Sequence, residues 1–216
     1  MKIFILGNGP ITNPDLIAPG MDDLIVRFNM PSKTSITIAQ GKTDYLFTAN
    51  SKAVFLENIE KGLLTSQAVQ SKPTVVMPYH PTIIRAHLPK RRHKFLKIFR
   101  KRGIDDGTKE CIEAFGQPQL PLLLLSSEHY YQCCASLGID NSLPSPKVPS
   151  TGYIATSYFL NNPLFRNYQI FLAGFSWQGW HGHAWNAERQ QIEKLAQQGR
   201  VIVGDAPSPI IKAASI

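Results

Sequence analysis

Near its N-terminus the chain reads Lys2-Ile3-Phe4-Ile5-Leu6-Gly7-Asn8-Gly9, a short apolar run that ends in a glycine turn. A near-continuous apolar run of this length is typical of a strand that is covered on both faces of a parallel sheet. Similar runs predict further strands at 24–28, 43–48, 74–77, 122–125, 168–173 and 200–203. Helical patterns separate several of these runs, at 51–61, 128–137, 151–160 and 184–198. The alternation predicts an α/β fold, Rossmann-like, with a mostly parallel sheet and helices on both faces.

The length of the chain, 216 residues, indicates a single domain over 1–216, because a second core would need about 100 residues more. No apolar run approaches the roughly 20 residues of a membrane-spanning helix, and the first apolar stretch is too short for a secretory signal. Cys111, Cys133 and Cys134 form an odd set with neither a Cys-x-x-Cys pair nor zinc spacing. We therefore expect a cytoplasmic chain without disulfides, structural metal or cofactor.

Positive charge is concentrated in one segment. The formal net charge is +8, and nine Lys or Arg residues with no acid lie between Arg85 and Arg102. Interleaved apolar residues predict a basic amphipathic helix that docks on an anionic membrane or a polyanionic acceptor, through a patch that includes Arg91, Arg92, Lys94 and Lys97. A solvated helix packed on the domain stays an open alternative. Nucleic acid is a third possibility, which we do not expect because no nucleic-acid motif accompanies the segment.

Asparagines follow three successive predicted strands, as Asn8, Asn29 and Asn50. The carboxyl ends of parallel strands meet at one edge of a sheet, where open α/β sheets bind ligands, so these amides are candidates to hold a nucleobase or sugar. Asparagine is also a common turn former, and this second interpretation stays equally open. Gly7 and Gly9 would let the backbone approach a ligand, although the turn does not match the Gly-x-Gly-x-x-Gly motif.

A proline-rich segment leads into the third predicted helix. Three prolines within 140–149 predict a mobile, lid-like loop, which continues into Ser150-Thr151-Gly152. Ser150 or Thr151 is a natural N-cap for the helix. The free backbone N–H groups of a helix start also form an anion site, so the same residues are candidates to bind a phosphate.

The densest group of polar and aromatic residues lies at 174–188 and reads Gly174-Phe175-Ser176-Trp177-Gln178-Gly179-Trp180-His181-Gly182-His183-Ala184-Trp185-Asn186-Ala187-Glu188. Two His and three Trp in a glycine-broken loop are hard to explain by core packing. A metal site is disfavoured, because the His-x-His pair has no obvious third ligand and the chain contains no Asp-x-Asp triplet. A general base fits better, since an imidazole can take a proton from a hydroxyl at neutral pH.

Taken together and in their order along the chain, these motifs resemble those of the sialyltransferases, above all glycosyltransferase family 29, with likeness to family 42. Gly7-Asn8-Gly9, 22–29 and 41–44 resemble the long motif, which binds the cytidine donor. Residues 149–152 and 172–175 resemble the short motif, whose Ser-Thr-Gly contacts the donor. His183 and Glu188 have the His-x-x-x-x-Glu spacing of the very short motif, which supplies the base.

The same chain departs from the animal enzymes in two respects. The paired cysteines that link their long and short motifs are missing, and no separate His-x-Tyr motif precedes the base, for which His181 is a candidate replacement. The run 174–180 is also similar to small bacterial proteins named for urease operons. A catalytically inactive nucleotide-binding accessory protein of that kind is therefore the alternative to an enzyme.

The resemblance implies a bacterial glycosyltransferase with a GT-A-like variant of the fold. It would move sialic acid or a related acidic sugar from a CMP-sugar to a glycan or glycolipid hydroxyl, with inversion and without a metal ion. The implied location is cytoplasmic or peripheral at the inner membrane, and a second copy of this short chain could complete the acceptor site.

The resemblance also implies roles for named residues. The catalytic group would comprise His183 as the base, with His181 and Glu188. The residues implied to bind the donor nucleotide are Gly7, Asn8, Gly9, Arg27, Asn29, Asn50, Ser150, Thr151, Gly152, Gly174 and Phe175.

Overall fold

The computed structural model describes residues 1–12, 14, 17–86, 105–140 and 147–204. These residues contain one seven-stranded sheet, made of β1 Lys2–Leu6, β2 Leu24–Phe28, β3 Tyr45–Phe47, β4 Thr74–Met77, β5 Leu122–Leu124, β6 Gln169–Ala173 and β7 Val201–Val203. Every pairing between neighbouring strands is parallel. Each strand lies within the bounds that the apolar runs predict, so the prediction of an α/β, Rossmann-like fold with a parallel sheet is confirmed.

The described helices are α1 Lys33–Thr37, α2 Lys52–Glu60, α3 Gln67–Gln70, α4 Pro81–Ala86, α5 Thr108–Gly116, α6 Ser127–Ser136, α7 Thr151–Asn161 and α8 Trp185–Gln197, with 3-10 turns at Ile38–Gly41, Leu63–Thr65 and Pro163–Phe165. The sequence predicts α2, α6, α7 and α8. It does not predict α1, α3 and α4, which have only four to six residues each and are too short for an apolar period to develop. The longer α5 begins after Gly107, which supplies no side-chain cap, so its start carries no N-cap signal in the sequence.

The order of the strands places a ligand site at one point of the sheet. The order is β5-β4-β3-β2-β1-β6-β7, so the chain moves outward from β1 to β5 and then returns to the other side of β1. Open α/β sheets bind ligands beyond the carboxyl ends of the strands, where the strand order reverses. The loops after β1, β2 and β6 therefore meet at this position.

Alternate residues of the strands build the core on both faces of the sheet. On one face, Ile3 packs with Ile154 of α7 and Ile192 of α8, and all three are essentially inaccessible to solvent. On the other face, Phe4 packs with Phe171 at a ring-centroid distance of 5.2 Å. Helices α2 and α5 cover this second face through Phe55 and Phe115. The prediction of helices on both faces is thus confirmed.

Several predictions fall on parts of the chain that the structure does not describe. The basic segment 85–102 lies outside the described residues apart from its first two, and this includes Arg91, Arg92, Lys94 and Lys97. Residues 141–146 of the predicted lid also lie outside them. Among the described residues, no helix combines the length and the apolarity that crossing a membrane requires. Cys111, Cys133 and Cys134 are buried and free.

Candidate active site

A cleft of about 320 Å³ opens at the carboxyl edge of β1, β2 and β6. This volume is in the range of small-molecule sites. The loop after β1, the end of β2, the start of α7 and the loop between β6 and α8 form its walls. The predicted site residues that line it are Gly7, Asn8, Gly9, Asn29, Ser150, Thr151, Gly152, Gly174, Phe175 and His183.

The floor of the cleft is a contact between two glycine turns. The N–H groups of Gly7 and Gly9 donate hydrogen bonds to the carbonyls of Ala173 and Gly174, at 2.8 and 2.9 Å. A Cβ on Gly7 would overlap the Gly174 carbonyl oxygen, and a Cβ on Gly174, whose φ is +73°, would lie 2.8 Å from the Gly7 oxygen. These glycines are therefore required by the close approach of the two loops, whether or not a ligand is bound.

The start of α7 offers unpaired backbone donors to the cleft. Ser150 is the N-cap, and its Oγ accepts a hydrogen bond from the N–H of Tyr153. The same Oγ donates to Glu188 Oε2 at 2.6 Å, and the Ser150 N–H donates to Glu188 Oε1 at 2.7 Å. The polar atoms of Ser150 are thus engaged with the protein. The N–H groups of Thr151 and Gly152 belong to the first turn, have no acceptor among the described residues, and lie where an anion can bind.

Glu188 lies behind the start of α7 and does not line the cleft. Its side chain is fully buried, and burial raises its pKa to about 7, while the two hydrogen bonds from Ser150 act in the opposite direction. A second tie holds the same turn, since the Tyr79 hydroxyl donates to the Pro149 carbonyl at 2.9 Å. The carboxylate therefore fixes the start of α7 to α8, behind the residues that line the cleft.

His183 lines the cleft as a neutral imidazole. Its Nδ1 lies 3.3 Å from the carbonyl oxygen of Val148, which can only accept, so Nδ1 carries the proton and Nε2 has the free lone pair. Burial lowers the pKa of His183 to about 4, and the nearby Lys147 contributes in the same direction. The ring lies edge-on between Trp180 and Trp185, with centroid distances of 4.9 and 4.8 Å. The imidazole is thus a fixed proton acceptor at neutral pH.

Two hydrogen bonds hold the His183 loop against the described end of the predicted lid. Val148 N–H donates to the Gly182 carbonyl at 2.8 Å, and Lys147 Nζ donates to the His181 carbonyl at 2.6 Å. Gly182 has no room for a side chain, because a Cβ there would overlap the Trp180 ring. The loop is therefore packed into one arrangement rather than held by the sheet alone.

Asn29 presents an unpaired amide donor. It follows β2 with a φ of +48°, a conformation that asparagine tolerates better than most residues. Its Oδ1 accepts from the Ala49 N–H at 2.8 Å and from Asn58 Nδ2 at 3.4 Å. Its own Nδ2 has no acceptor among the described residues, so this group is available to a ligand in the cleft.

Arg27 lies away from the cleft and is fully buried. Its guanidinium donates to the Thr43 hydroxyl at 3.2 Å and to the Ile38 carbonyl at 2.7 Å, and it also reaches both oxygens of Ser35. Burial lowers its pKa to about 10. Arg27 therefore anchors α1 and the following 3-10 turn beneath the sheet edge.

Asn50 and His181 also lie apart from the cleft. The Asn50 Nδ2 donates to the Tyr79 carbonyl at 2.6 Å and to Thr108 Oγ1 at 2.8 Å, and its Oδ1 accepts from the Tyr79 N–H at 3.2 Å. The side chain thus joins the ends of β3 and β4 to α5. His181 is exposed, with its ring 5.9 Å from that of Trp180.

Asn8 lines the cleft, but its amide is occupied. Nδ2 donates to the carbonyls of Phe28 and Met30, at 3.2 and 3.3 Å, and Oδ1 accepts from the Ser32 N–H at 3.1 Å. The side chain ties the loop after β1 to the start of α1. The amide is therefore engaged with the protein, although Asn8 is among the residues that line the cleft.

Some lining residues are absent from the predicted set, namely Phe28, Ser176, Trp177, Gln178 and Trp185. The last four belong to the aromatic loop that the sequence already marks as unusual. The high density of Trp residues around His183 in the sequence is the signal that could have identified them, because tryptophan side chains provide rigid, apolar surface for the wall of a cleft. Within the described part of the chain, no group of three or more His, Cys, Asp or Glu side chains is arranged to hold a metal ion.

The sequence matches no protein-family model and no curated protein. Solved structures do match. The sialyltransferase CstII from Campylobacter jejuni in complex with the substrate analogue CMP-3FNeuAc is 14% identical, with a TM-score of 0.51 over 94% of this chain and 78% of that chain. A CST-II variant in complex with CMP is 15% identical, with a TM-score of 0.53 over 94% and 80%.

A third match is the monofunctional α-2,3-sialyltransferase Cst-I from Campylobacter jejuni. It is 12% identical, with a TM-score of 0.51 over 94% of this chain and 74% of that chain. At such low identity the similarity concerns the fold, while the likeness to family 29 and to the urease-operon proteins stays one of sequence motifs. The chain therefore has a sialyltransferase-like fold, an open parallel α/β sheet with a cleft at the carboxyl edge of its central strands.

Proposed function

We propose that this chain is a sialyltransferase-like glycosyltransferase, which moves sialic acid or a related acidic sugar from a CMP-activated donor to a glycan hydroxyl. One observation carries the proposal. A single cleft joins the free N–H groups at the start of α7 to the free Nε2 of His183, in a chain whose fold is that of sialyltransferases. Transfer of a sugar from a nucleotide phosphate needs an anion site and a base in this proximity.

The donor nucleotide binds along the first wall of the cleft. The phosphate accepts hydrogen bonds from the N–H groups of Thr151 and Gly152, and the partial positive charge of the α7 N-terminus favours its negative charge. The Nδ2 of Asn29 donates to the nucleoside. The ring of Phe175, 6.3 Å from that of Phe28, supplies apolar surface beside them.

The reaction is a displacement at the anomeric carbon. His183 Nε2 takes the proton of the acceptor hydroxyl, and the hydroxyl oxygen forms the new bond to the anomeric carbon as the bond to the CMP phosphate oxygen breaks. The electron pair of that bond leaves with CMP. Attack from the face opposite the leaving group inverts the configuration, and the N–H donors of α7 stabilise the departing phosphate without a metal ion.

The low pKa of His183 has a consequence for this step. An imidazole with a pKa of about 4 is a weak base, and general bases work best with a pKa near the working pH. The phosphate and the carboxylate of a bound acidic CMP-sugar bring negative charge next to the ring, which favours the imidazolium and raises its pKa. The bound donor thus makes His183 a stronger base than it is in the free protein.

The test combines nucleotide binding with turnover. Calorimetry with CMP, UMP and AMP is expected to show tightest binding for CMP, and CMP-sialic acid or CMP-Kdo is expected to release CMP faster when glycan acceptors are added. Tight CMP binding with no turnover on any acceptor would instead favour the inactive accessory protein. A chain that shows no preference for CMP contradicts the proposal.

A further inference from the structure

A second cleft, of about 400 Å³, lies next to the first and also has His183 in its wall. Its wall is formed by Lys147, Trp177, Gln178, Gly179, His183, Ala184, Trp185, Asn186 and Ala187. Four of these residues, Trp177, Gln178, His183 and Trp185, also line the first cleft. The two clefts are therefore adjacent, and His183 belongs to the wall of both.

The aromatic wall of this second cleft is fixed in place. The indole N–H of Trp185 donates to the Trp180 carbonyl at 3.1 Å, so the polar atom of this ring is already satisfied. Trp177 is held in the left-handed region at a φ of +52°, with its ring centroid 5.4 Å from that of Phe175. The wall consequently presents rigid apolar ring surface, which binds a ligand at little cost in conformational entropy.

Polar groups of the second cleft lie beside this apolar surface. The side chains of Gln178 and Asn186 are exposed, and their amides form no hydrogen bond within the described ranges. Each amide can both donate to and accept from a hydroxyl. A pyranose ring combines one apolar C–H face with a rim of hydroxyls, which matches an indole face bordered by amides.

We propose that the second cleft is the acceptor site, in which the terminal sugar of a glycan stacks on the tryptophan wall and presents one hydroxyl to His183 Nε2. This inference rests on the proposed function. A base that removes the acceptor proton must touch the acceptor while the donor is bound beside it, and His183 lines both clefts. The free N–H donors for the CMP phosphate line the first cleft only, which leaves the second to the other substrate.

The test fills the second cleft without touching the first. Ala187 lines only the second cleft, and Ala187→Phe places a ring in it. We expect KM for the glycan acceptor to rise at least 10-fold, while the dissociation constants for CMP and for an unreactive CMP-sugar analogue change less than twofold. Gln190→Phe is the matched control, because Gln190 is exposed on the same helix and lines neither cleft.

A milder variant and a direct binding measurement complete the test. Asn186→Ala removes one amide from the second cleft and is expected to raise acceptor KM about three- to tenfold, in line with one hydrogen bond. Saturation-transfer NMR with a panel of aryl glycosides is expected to show contact between the sugar and aromatic protons in wild type, and none in Ala187→Phe.

Three results separate the two proposals. An unchanged acceptor KM in Ala187→Phe overturns the acceptor site and leaves the proposed function intact. Weaker binding of the CMP-sugar analogue with unchanged CMP binding also overturns it, because the second cleft would then hold the donor sugar. Absence of CMP binding in wild type overturns the proposed function, whereas glycoside binding that Ala187→Phe abolishes would still support a sugar site in the second cleft.

Discussion

Two sets of polar residues stand at the same edge of the sheet and do different work. At the ends of β1, β2 and β3, the side chains of Asn8, Arg27 and Asn50 form their hydrogen bonds with the protein itself. At the start of α7 and before α8, Thr151, Gly152 and His183 line the cleft, and the backbone N–H groups of the first two and Nε2 of the third have no partner among the described residues. Position at a sheet edge therefore does not distinguish a binding residue, whereas an unpaired polar atom in the cleft does.

The largest difference is expected between the two histidines of the aromatic loop. His183→Ala removes the base, and transfer should fall by about 100-fold to 10,000-fold, while CMP binds within a few-fold of wild type. His181→Ala removes an exposed ring outside the cleft and should change the rate less than about threefold, as is usual for one surface side chain. The steady-state rate of CMP release measures the activity of both variants. Equal losses of activity in the two variants would contradict the role of His183 as the base.

The glycines at the floor of the cleft are expected to matter for the stability of the fold. Gly7→Ala drives a Cβ into the Gly174 carbonyl, and we expect it to destabilise the protein by about 3 kcal/mol. For a chain of this size, the melting temperature should fall by roughly 6–12 °C. In Gly116→Ala, nothing lies near the new Cβ, so its melting temperature should stay within about 3 °C of wild type. Similar melting temperatures for the two variants would contradict the close contact between the Gly7 and Gly174 turns.

Glu188 and His183 are expected to act on stability in opposite directions as pH changes. The folded pKa of Glu188 is raised from 4.5 to about 7, so the folded state holds an extra proton and loses stability as pH rises through this window. The folded pKa of His183 is lowered from 6.5 to about 4, so the folded state loses stability as pH falls through that window. Each group changes the free energy of unfolding by about 3 kcal/mol across its window. The two changes largely cancel in the pH range that the windows share.

Glu188→Gln breaks this cancellation. Its free energy of unfolding, relative to wild type, should increase by about 3 kcal/mol between pH 4.5 and 7, as measured by urea unfolding. The buried neighbours Tyr79 and Cys133 do not interfere, because burial raises the pKa of Cys133 to about 12 and that of Tyr79 further. A difference that stays constant across this range would show that Glu188 is not a buried carboxylate coupled to the turn of α7.

The smallest effect concerns two asparagines. Asn29→Ala removes one donor from the cleft, so CMP should bind about 10-fold more weakly, as for one hydrogen bond of roughly 1.4 kcal/mol. Asn50→Ala should leave CMP binding within twofold and instead lower the free energy of unfolding by about 1–3 kcal/mol, because it leaves buried groups unpaired. Calorimetry and urea unfolding check the pair, and the reverse pattern would contradict the assignment.

The sequence predicts the strands well because they are buried on both faces and almost wholly apolar, as in β1 and β4. It predicts α7 from the cap at Ser150 or Thr151, and α8 from an amphipathic pattern that ends at Gly199. The sequence does not predict short helices such as α1, because this helix is stabilised by contacts with residues elsewhere in the chain, including the buried Arg27. Tertiary contacts of that kind leave no local pattern.

The sequence also identifies the segments that meet in the cleft, but it does not identify their free atoms. Asn29 and Asn50 follow equivalent strand ends, and only the folded chain shows that one amide donor is free and the other is bound to Tyr79 and Thr108. The role of Trp185 likewise depends on its position beside His183 across a turn of the loop. Hydrogen-bond pairing is a property of the assembled structure, which one sequence does not encode locally.

The pKa of His183, followed by NMR of the imidazole during a CMP titration, tests the central claim most directly. In the free protein we expect a neutral ring protonated on Nδ1, with a pKa near 4. Saturating CMP should raise that pKa by at least about one unit, because a phosphate at the start of α7 stabilises the imidazolium. A pKa that stays the same while CMP binds would place the nucleotide away from His183 and contradict the account.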